Sequence, residues 1–121
     1  MQRPTLKGRS ILVVENEPLI ALDITLEFEG TGAAVTTTNT LEHAMVLAEH
    51  DGLSAAILDH ALGAEDSSLL CKRLKERGIP YLMYSALDIV VGPCVDAPHL
   101  SKPAAPGELV MAVERLLLAS Q

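Results

Sequence analysis

The sequence predicts a doubly wound α/β domain, a parallel sheet covered by helices on both faces. Three observations carry that prediction. The chain has 121 residues, 49% of them hydrophobic, which is enough for one domain (residues 1–121, core about 9–120) to bury its own core. Short β-type runs alternate with helix-period segments from end to end. The loops between them are short, and strand–helix alternation of that kind favours parallel pairing.

The strands are read at Ser10–Val14, Ala33–Thr37, Ser54–Leu58, Pro80–Tyr84 and, more weakly, Ala97–Leu100. The first helix opens with Asn16 or Glu17 as cap and Pro18 in its first turn, and closes at Gly30. Leu19, Leu22 and Leu26, flanked by Ile20 and Ile24, give it a broad apolar face. The second helix follows the Thr/Asn cluster at 36–40 and buries Leu41, Ala44, Met45 and Ala48. A third runs from about Asp66 to Arg77 and stops at Gly78, with Pro80 beyond. The last starts near Pro106 and sets Leu109, Ala112, Val113, Leu116 and Leu117 on one side. Between Ser85 and Pro98, only Ala86–Val91 suits a helix, so the fourth helix of the alternation is expected to be short or missing.

Charge narrows the function classes. Sixteen acids against nine Lys and Arg give a net charge of -7. Eleven of the acids lie between Ser10 and Leu70, a stretch without a single Lys or Arg. Such a surface repels phosphates, so direct nucleic-acid binding is not expected. The cluster Lys72, Arg73, Lys75 and Arg77 reads as a solvated helix face. The polar N-terminus (Met1 to Ser10) has no secretory apolar stretch, and no run approaches the roughly 20 residues of a membrane span. Cys71 and Cys94 fit neither a disulfide scaffold nor a zinc site, which points to a reducing, cytoplasmic compartment.

In an open parallel sheet, functional residues collect at the carboxyl ends of the strands. Here those ends carry Glu15-Asn16-Glu17, Asp59, Ser85 and Ser101-Lys102-Pro103. Carboxylates gathered at one edge repel one another unless a cation intervenes, and a hard divalent ion such as Mg²⁺ suits oxygen donors. A carboxylate beside such an ion and a lysine can attack a phosphoryl group, with a hydroxyl donating to an equatorial oxygen. The residue types therefore suggest phosphoryl transfer onto Asp59.

The runs Ile11-Leu-Val-Val-Glu-Asn-Glu-Pro, Ala56-Ile-Leu-Asp59, Gly78-Ile-Pro, Ser85-Ala and Leu100-Ser-Lys102-Pro103 occur in order along the chain. Together they resemble the receiver (response-regulator) domains of two-component signalling, over about Arg9 to Ser120, and most of all short stand-alone alphaproteobacterial receivers. The resemblance implies a flavodoxin-like five-stranded sheet of order 2-1-3-4-5. It implies Asp59 as phosphoacceptor, Ser85 as the hydroxyl that follows the phosphoryl group, and Lys102 as its cation. Mg²⁺ would take Glu15, Asn16, Asp59 and the backbone carbonyl of Ala61. His99 falls at the aromatic switch position, with Ser85 as its partner in switching, and a cis bond is implied before Pro103. The implied donor is a histidine kinase or phosphotransfer protein, and the implied output is contact with an unknown downstream protein. On this reading the chain is a signalling domain that catalyses only its own phosphorylation and dephosphorylation. It is either a stand-alone receiver or a piece of a longer chain such as a hybrid kinase.

The sequence departs from the family pattern at Asn16, which brings no charge where receivers usually carry a second acid and which also suits a helix cap. His99 replaces the usual Tyr or Phe. Ala61 and Leu87 occupy the positions that normally tune water attack, and neither activates water, so the expected phosphoform is long-lived. His60 is expected to face solvent, and Tyr84 to pack rather than switch. Val110, Met111 and Leu118 add apolar surface to the last helix, a candidate homodimer face. Two other readings stand beside the leading one. The first is a phosphorylation-independent protein-binding module on the same fold, motivated by Asn16. The second is a flavin electron carrier, which lacks a Ser/Thr/Gly-rich phosphate loop after the first strand and has only Phe28, Tyr81 and Tyr84 for stacking.

Overall fold

The computed structural model describes residues 5–59, 61–62, 65–86 and 94–120, with backbone only over 61–66. Its elements in chain order are β1 (Ser10–Val14), α1 (Pro18–Glu27), β2 (Ala34–Thr38), α2 (Leu41–Leu47), β3 (Ala55–Leu58), β4 (Ala61–Leu62), β5 (Glu65–Asp66), α3 (Ser68–Glu76), β6 (Tyr81–Ser85), β7 (His99–Ser101) and α4 (Glu108–Ala119). Five strands form one sheet in the order β2-β1-β3-β6-β7, all parallel. Counted along the chain, that is the 2-1-3-4-5 order. The short β4 and β5 pair antiparallel outside this sheet.

The layers follow from the two-residue period of a strand. Leu12, Val14, Ala56, Leu58, Tyr81 and Met83 point to one face, where α2 and α3 cover them with Ala44, Ala48, Leu70 and Leu74. Ile11, Val13, Ala55, Ile57, Leu82 and Tyr84 point to the other, where Ile24 and Phe28 of the α1 region meet Leu109, Val113 and Leu117 of α4. Central strands β1 and β3 are buried throughout β3 and nearly so in β1, as a sheet covered on both sides demands.

Several expectations need correction. The face of α1 is the main one: Leu19, Leu22 and Leu26 are exposed, Leu19 by 76%, while Ile24 and Phe28 are buried and Ile20 is partly so. The helix is apolar almost all round, so Ile20, Ile24 and Phe28 (spacing i, i+4, i+8) compete with the leucines, and packing against α4 selects them. Asn16 does not cap α1, whose cap position is Glu17 without a side-chain cap bond. Ser85 and Ser101 end strands rather than follow them. Asp66 lies in β5, not in the third helix. The β4–β5 pair was not anticipated.

The polar N-terminal segment also contributes to the core. Leu6 is buried, and its N–H donates to Thr31 O at 2.8 Å. The arm crosses so close that a Cβ on Gly32 would sit 2.8 Å from Lys7 Cα, and Gly32 has φ +88°. Only glycine accommodates both the positive φ and the contact. The described residues hold four helices, none of them between β6 and β7. Residues 87–91 of the doubtful fourth helix, together with His60 and Leu87, lie outside the described residues.

The basic cluster on α3 is not merely solvated. Arg73 makes two 2.6 Å contacts with Glu49, Lys75 meets Asp96 at 3.1 Å, and Arg77 meets Asp51 at 3.3 Å. Arg77 also donates to Ala48 O at the end of α2 at 2.6 Å, which satisfies a terminal carbonyl of that helix.

The cysteines overturn the free-thiol reading: Cys71 on α3 and Cys94 ahead of β7 form a buried disulfide. Met83 Sδ lies 3.9 Å from Cys71 Sγ. With this bond the argument from cysteine usage to a reducing compartment falls away. No helix among the described residues is long and apolar enough to cross a membrane.

The bond closes a loop across a sequence separation of 23, for which loop-closure entropy gives a stabilisation of about 3 kcal/mol. Urea unfolding of oxidised protein, beside protein reduced and alkylated while unfolded and then refolded, should differ by about that amount. Identical midpoints would mean that the two cysteines are not bonded.

Candidate functional site

Backbone pairing builds the site by running one residue past the strand ends. Glu15 N–H donates to Thr38 O at 3.0 Å, and Asp59 N–H donates to Val14 O at 2.9 Å. These bonds hold Glu15 and Asp59 on neighbouring strands at the same edge. At the far side of the sheet, Lys102 N–H donates to Ser85 O at 3.1 Å, extending the β6–β7 ladder in the same way.

Lys102 joins the two halves. Its Nζ lies 2.6 Å from Glu15 Oε1 and 3.1 Å from Asp59 Oδ2. It also sits 5.7 Å above the centre of the Tyr84 ring, a cation–π distance. Tyr84 is buried, and its hydroxyl accepts from Ala104 N–H at 2.9 Å, so the packing role expected of it includes pinning the chain just beyond Lys102. The Lys102–Pro103 peptide bond is cis.

Electrostatics at this triad are set by burial and pairing. Burial pushes the Glu15 carboxyl above its ordinary value; bonds from Lys102 and the Glu17 N–H oppose that, and the charge of Asp59 adds to it. Burial alone would lower Lys102, yet its hydrogen bonds to Glu15 and Asp59 win and its affinity for the proton rises. Glu15 engages both oxygens, since Oε2 accepts from Glu17 N–H at 3.0 Å.

The remaining candidates are distributed unevenly. Ser85 is buried at the end of β6, beside the Lys102 backbone. Asn16 is exposed next to Glu15. Ala61 opens β4, two residues past Asp59, in register with Asp66. His99 is exposed on β7, paired with Met83. Ser67 was missed: its buried hydroxyl donates to Asp59 O and fixes the backbone of the acceptor residue. In sequence it reads only as a residue ahead of a helix, so nothing marked it.

The donor set is oxygen throughout, and two carboxylates already converge on one positive charge. That chemistry fits a hard divalent cation held by one or two carboxylates and waters. Glu15 and Asp59 would hold Mg²⁺, aided by the Asn16 amide oxygen and the Ala61 carbonyl. The neutral Asn16 makes that set weaker than one with a third acid.

Replacing Lys102 by Met keeps the stem and leaves two buried carboxylates uncompensated. The expected loss at neutral pH is about 3 kcal/mol. Burial raises the Glu15 carboxyl above its unfolded value, and the variant removes the opposing Lys102 bond, so stability of the variant is retained at low pH and lost as pH rises through the folded value. Lys102→Met should therefore gain stability relative to the parent as pH falls from neutrality toward 4.5, the ordinary value of glutamate. A pH-independent difference in denaturation midpoints would refute the triad as drawn.

No protein-family model matches the sequence, and no curated protein matches it. Solved structures do. A response regulator from Chloroflexus aurantiacus superposes with a TM-score of 0.81 at 28% identity, over 93% of this chain and 99% of that one. The receiver domain of a Francisella response regulator gives 0.78 at 25% identity, over 93% and 99%. The receiver domain of a Pseudomonas aeruginosa sensor histidine kinase, solved with a magnesium ion coordinated in its active-site cleft, gives 0.77 at 24% identity, over 91% and 98%. Motifs, strand order and superposition agree, and the chain has the fold of the CheY-like response-regulator receiver domains.

Proposed function

We propose that this chain accepts a phosphoryl group on Asp59 from a histidine kinase or phosphotransfer protein and signals by protein–protein contact. The observation that carries the reading is the single ammonium of Lys102 within 3.1 Å of both Glu15 and Asp59 at the carboxyl edge of the sheet. In the transfer, an Asp59 carboxylate oxygen forms the new O–P bond while the P–N bond to the donor imidazole breaks, and the electron pair leaves with that nitrogen. Lys102 offsets negative charge on the equatorial oxygens, and the Ser85 hydroxyl donates to one of them. When bound, Mg²⁺ supplies charge neutralisation at the same oxygens. The protein turns over no external substrate.

Output would run through exposed surface. Met111 and Leu118 stand out from α4, as a contact face for a partner or a second copy requires. A kinase partner implies the cytoplasm. The buried disulfide is uncommon there, and burial shields it from reductants.

A second reading, a phosphorylation-independent binding module, draws on Asn16 and on the full engagement of Glu15. Intact-protein mass after incubation with acetyl phosphate separates the two. Phosphoryl acceptance predicts an adduct that requires Mg²⁺ and is absent from Asp59→Asn. Folded protein without an adduct would favour the binding module. The same reading predicts that Asn16→Asp tightens Mg²⁺ binding by at least about 10-fold in calorimetry. An unchanged affinity would remove Asn16 from the metal site.

A further inference from the structure

The transfer proposed for Asp59 needs an ammonium that keeps its place while its carboxylate partners change. In the resting site Lys102 Nζ is held by Glu15 Oε1 at 2.6 Å and by Asp59 Oδ2 at 3.1 Å. Once an Asp59 oxygen is bonded to phosphorus, that side chain is an acyl phosphate and its own carboxylate charge is gone. The ammonium must then balance the phosphoryl oxygens instead. A lysine is poorly suited to this by itself, because its charge is a point at the end of a flexible four-carbon stem.

Tyr84 supplies contacts that do not change. It is buried in the face of the sheet covered by α1 and α4. The Lys102 ammonium lies 5.7 Å from the centre of its ring. Its hydroxyl accepts from Ala104 N–H at 2.9 Å. The backbone of the same strand also holds the approach to the lysine: Tyr84 pairs with Leu100, and Lys102 N–H donates to Ser85 O at 3.1 Å. One side chain therefore meets Lys102 at its charged tip and, through Ala104, ties down the chain two residues beyond. Neither contact involves a group that gains or loses charge in the transfer. The ring face attracts the ammonium through its quadrupole and leaves its charge available to the phosphoryl oxygens. The buried aromatic residue beside the lysine is thus Tyr84, on β6, whereas His99 is exposed on β7.

Given phosphoryl acceptance at Asp59, on which this rests, we propose that Tyr84 is its positioning residue: ring and hydroxyl hold Lys102 where the ammonium meets the transferring group. Such a residue acts on the transfer itself more than on capture of the donor, because alignment of the ammonium counts most when charge shifts among the equatorial oxygens.

Two variants separate the parts. Tyr84→Phe keeps the ring and deletes the acceptor for Ala104 N–H, and Tyr84→Leu deletes both. Acetyl phosphate serves as donor: its P–O bond to acetate breaks as the Asp59 O–P bond forms, and acetate leaves with the electron pair. The adduct is followed by intact-protein mass with Mg²⁺ present, at donor concentrations on both sides of half-saturation. Tyr84→Leu should lower the rate at saturating donor about 10-fold, on the order of a partly desolvated cation–π contact, and leave the half-saturating concentration within about 2-fold. Tyr84→Phe should restore most of that rate and stay about 3-fold below the parent. Proton NMR of the unphosphorylated chain without Mg²⁺ gives a readout independent of activity. Ring-current shifts of the Lys102 methylene protons are expected in the parent and in Tyr84→Phe, and their loss in Tyr84→Leu. If Tyr84→Leu does not fold, the rate and the Ala104 amide shift of Tyr84→Phe carry the test. Equal rates in parent and variants, a change confined to the half-saturating concentration, or methylene shifts indifferent to removal of the ring would overturn the proposal alone. A parent that takes no phosphoryl group would overturn the reading of Asp59 and the role of Tyr84 with it.

Discussion

The interaction on which the rest of the site depends is the bridge from Lys102 to Glu15 and Asp59. A doubly wound sheet delivers the ends of its parallel strands to one edge, and here adjacent strands deliver two acids side by side. Two like charges about 4 Å apart cost on the order of 4 kcal/mol at the effective dielectric near a protein surface. The fold has to supply a cation to that place. It does so from the opposite edge strand: β7 lies two strands away from β3 and three from β1. Strands are spaced by about 4.8 Å, so β7 stands about 10 Å from β3, a gap that the long lysine stem spans. Two bonds to β6 hold the chain in place for it, Lys102 N–H to Ser85 O and Ala104 N–H to the Tyr84 hydroxyl.

That arrangement also explains why a neutral Asn16 is compatible with a folded site. One ammonium against two carboxylates leaves a residual charge of about −1, which partial burial tolerates when hydrogen bonds are made. Glu15 uses both oxygens, one on Lys102 and one on its own loop at Glu17 N–H. A third acid at position 16 would add repulsion that only a further cation could relieve. The neutral Asn16 thus spares the site a further repulsion that the single ammonium of Lys102 would not offset.

Periodicity suffices to read the succession of strands and helices along the chain, and to place Glu15, Asp59 and Lys102 just past strand ends, because both depend on local pattern. What it could not decide were choices made between elements. In α1, the leucines at 19, 22 and 26 and the set Ile20, Ile24 and Phe28 are equally good helical stripes; only the presence of Leu109, Val113 and Leu117 opposite selects the second. Cys71 and Cys94 look unrelated at a separation of 23, and they meet because α3 and the approach to β7 flank the same face. Leu6, alone in a polar segment, is buried because Gly32 lets the arm approach. Ser67 binds the acceptor backbone through a turn that has no pattern of its own.

The two faces of the sheet are consequently fastened in different ways. The α2–α3 face is held by ion pairs from Arg73 and Arg77 to residues at and beyond the end of α2, and by a covalent bond from α3 to the approach of β7. Among the described residues, the α1–α4 face has no such fastening, and its helices touch through side chains and a bond from Gly107 N–H to Glu27. Tyr84 belongs to this second face, and it connects Lys102, through the ring and Ala104, to the same segment that leads to Gly107. A change in charge at Asp59 alters what Lys102 must balance; contacts run from Lys102 to Ala104 through Tyr84, and from the Asp59 backbone to the start of α3 through Ser67. Contacts alone do not establish coupling. They lead from Lys102 to the segment ahead of α4, where Gly107 N–H donates to the Glu27 carboxylate.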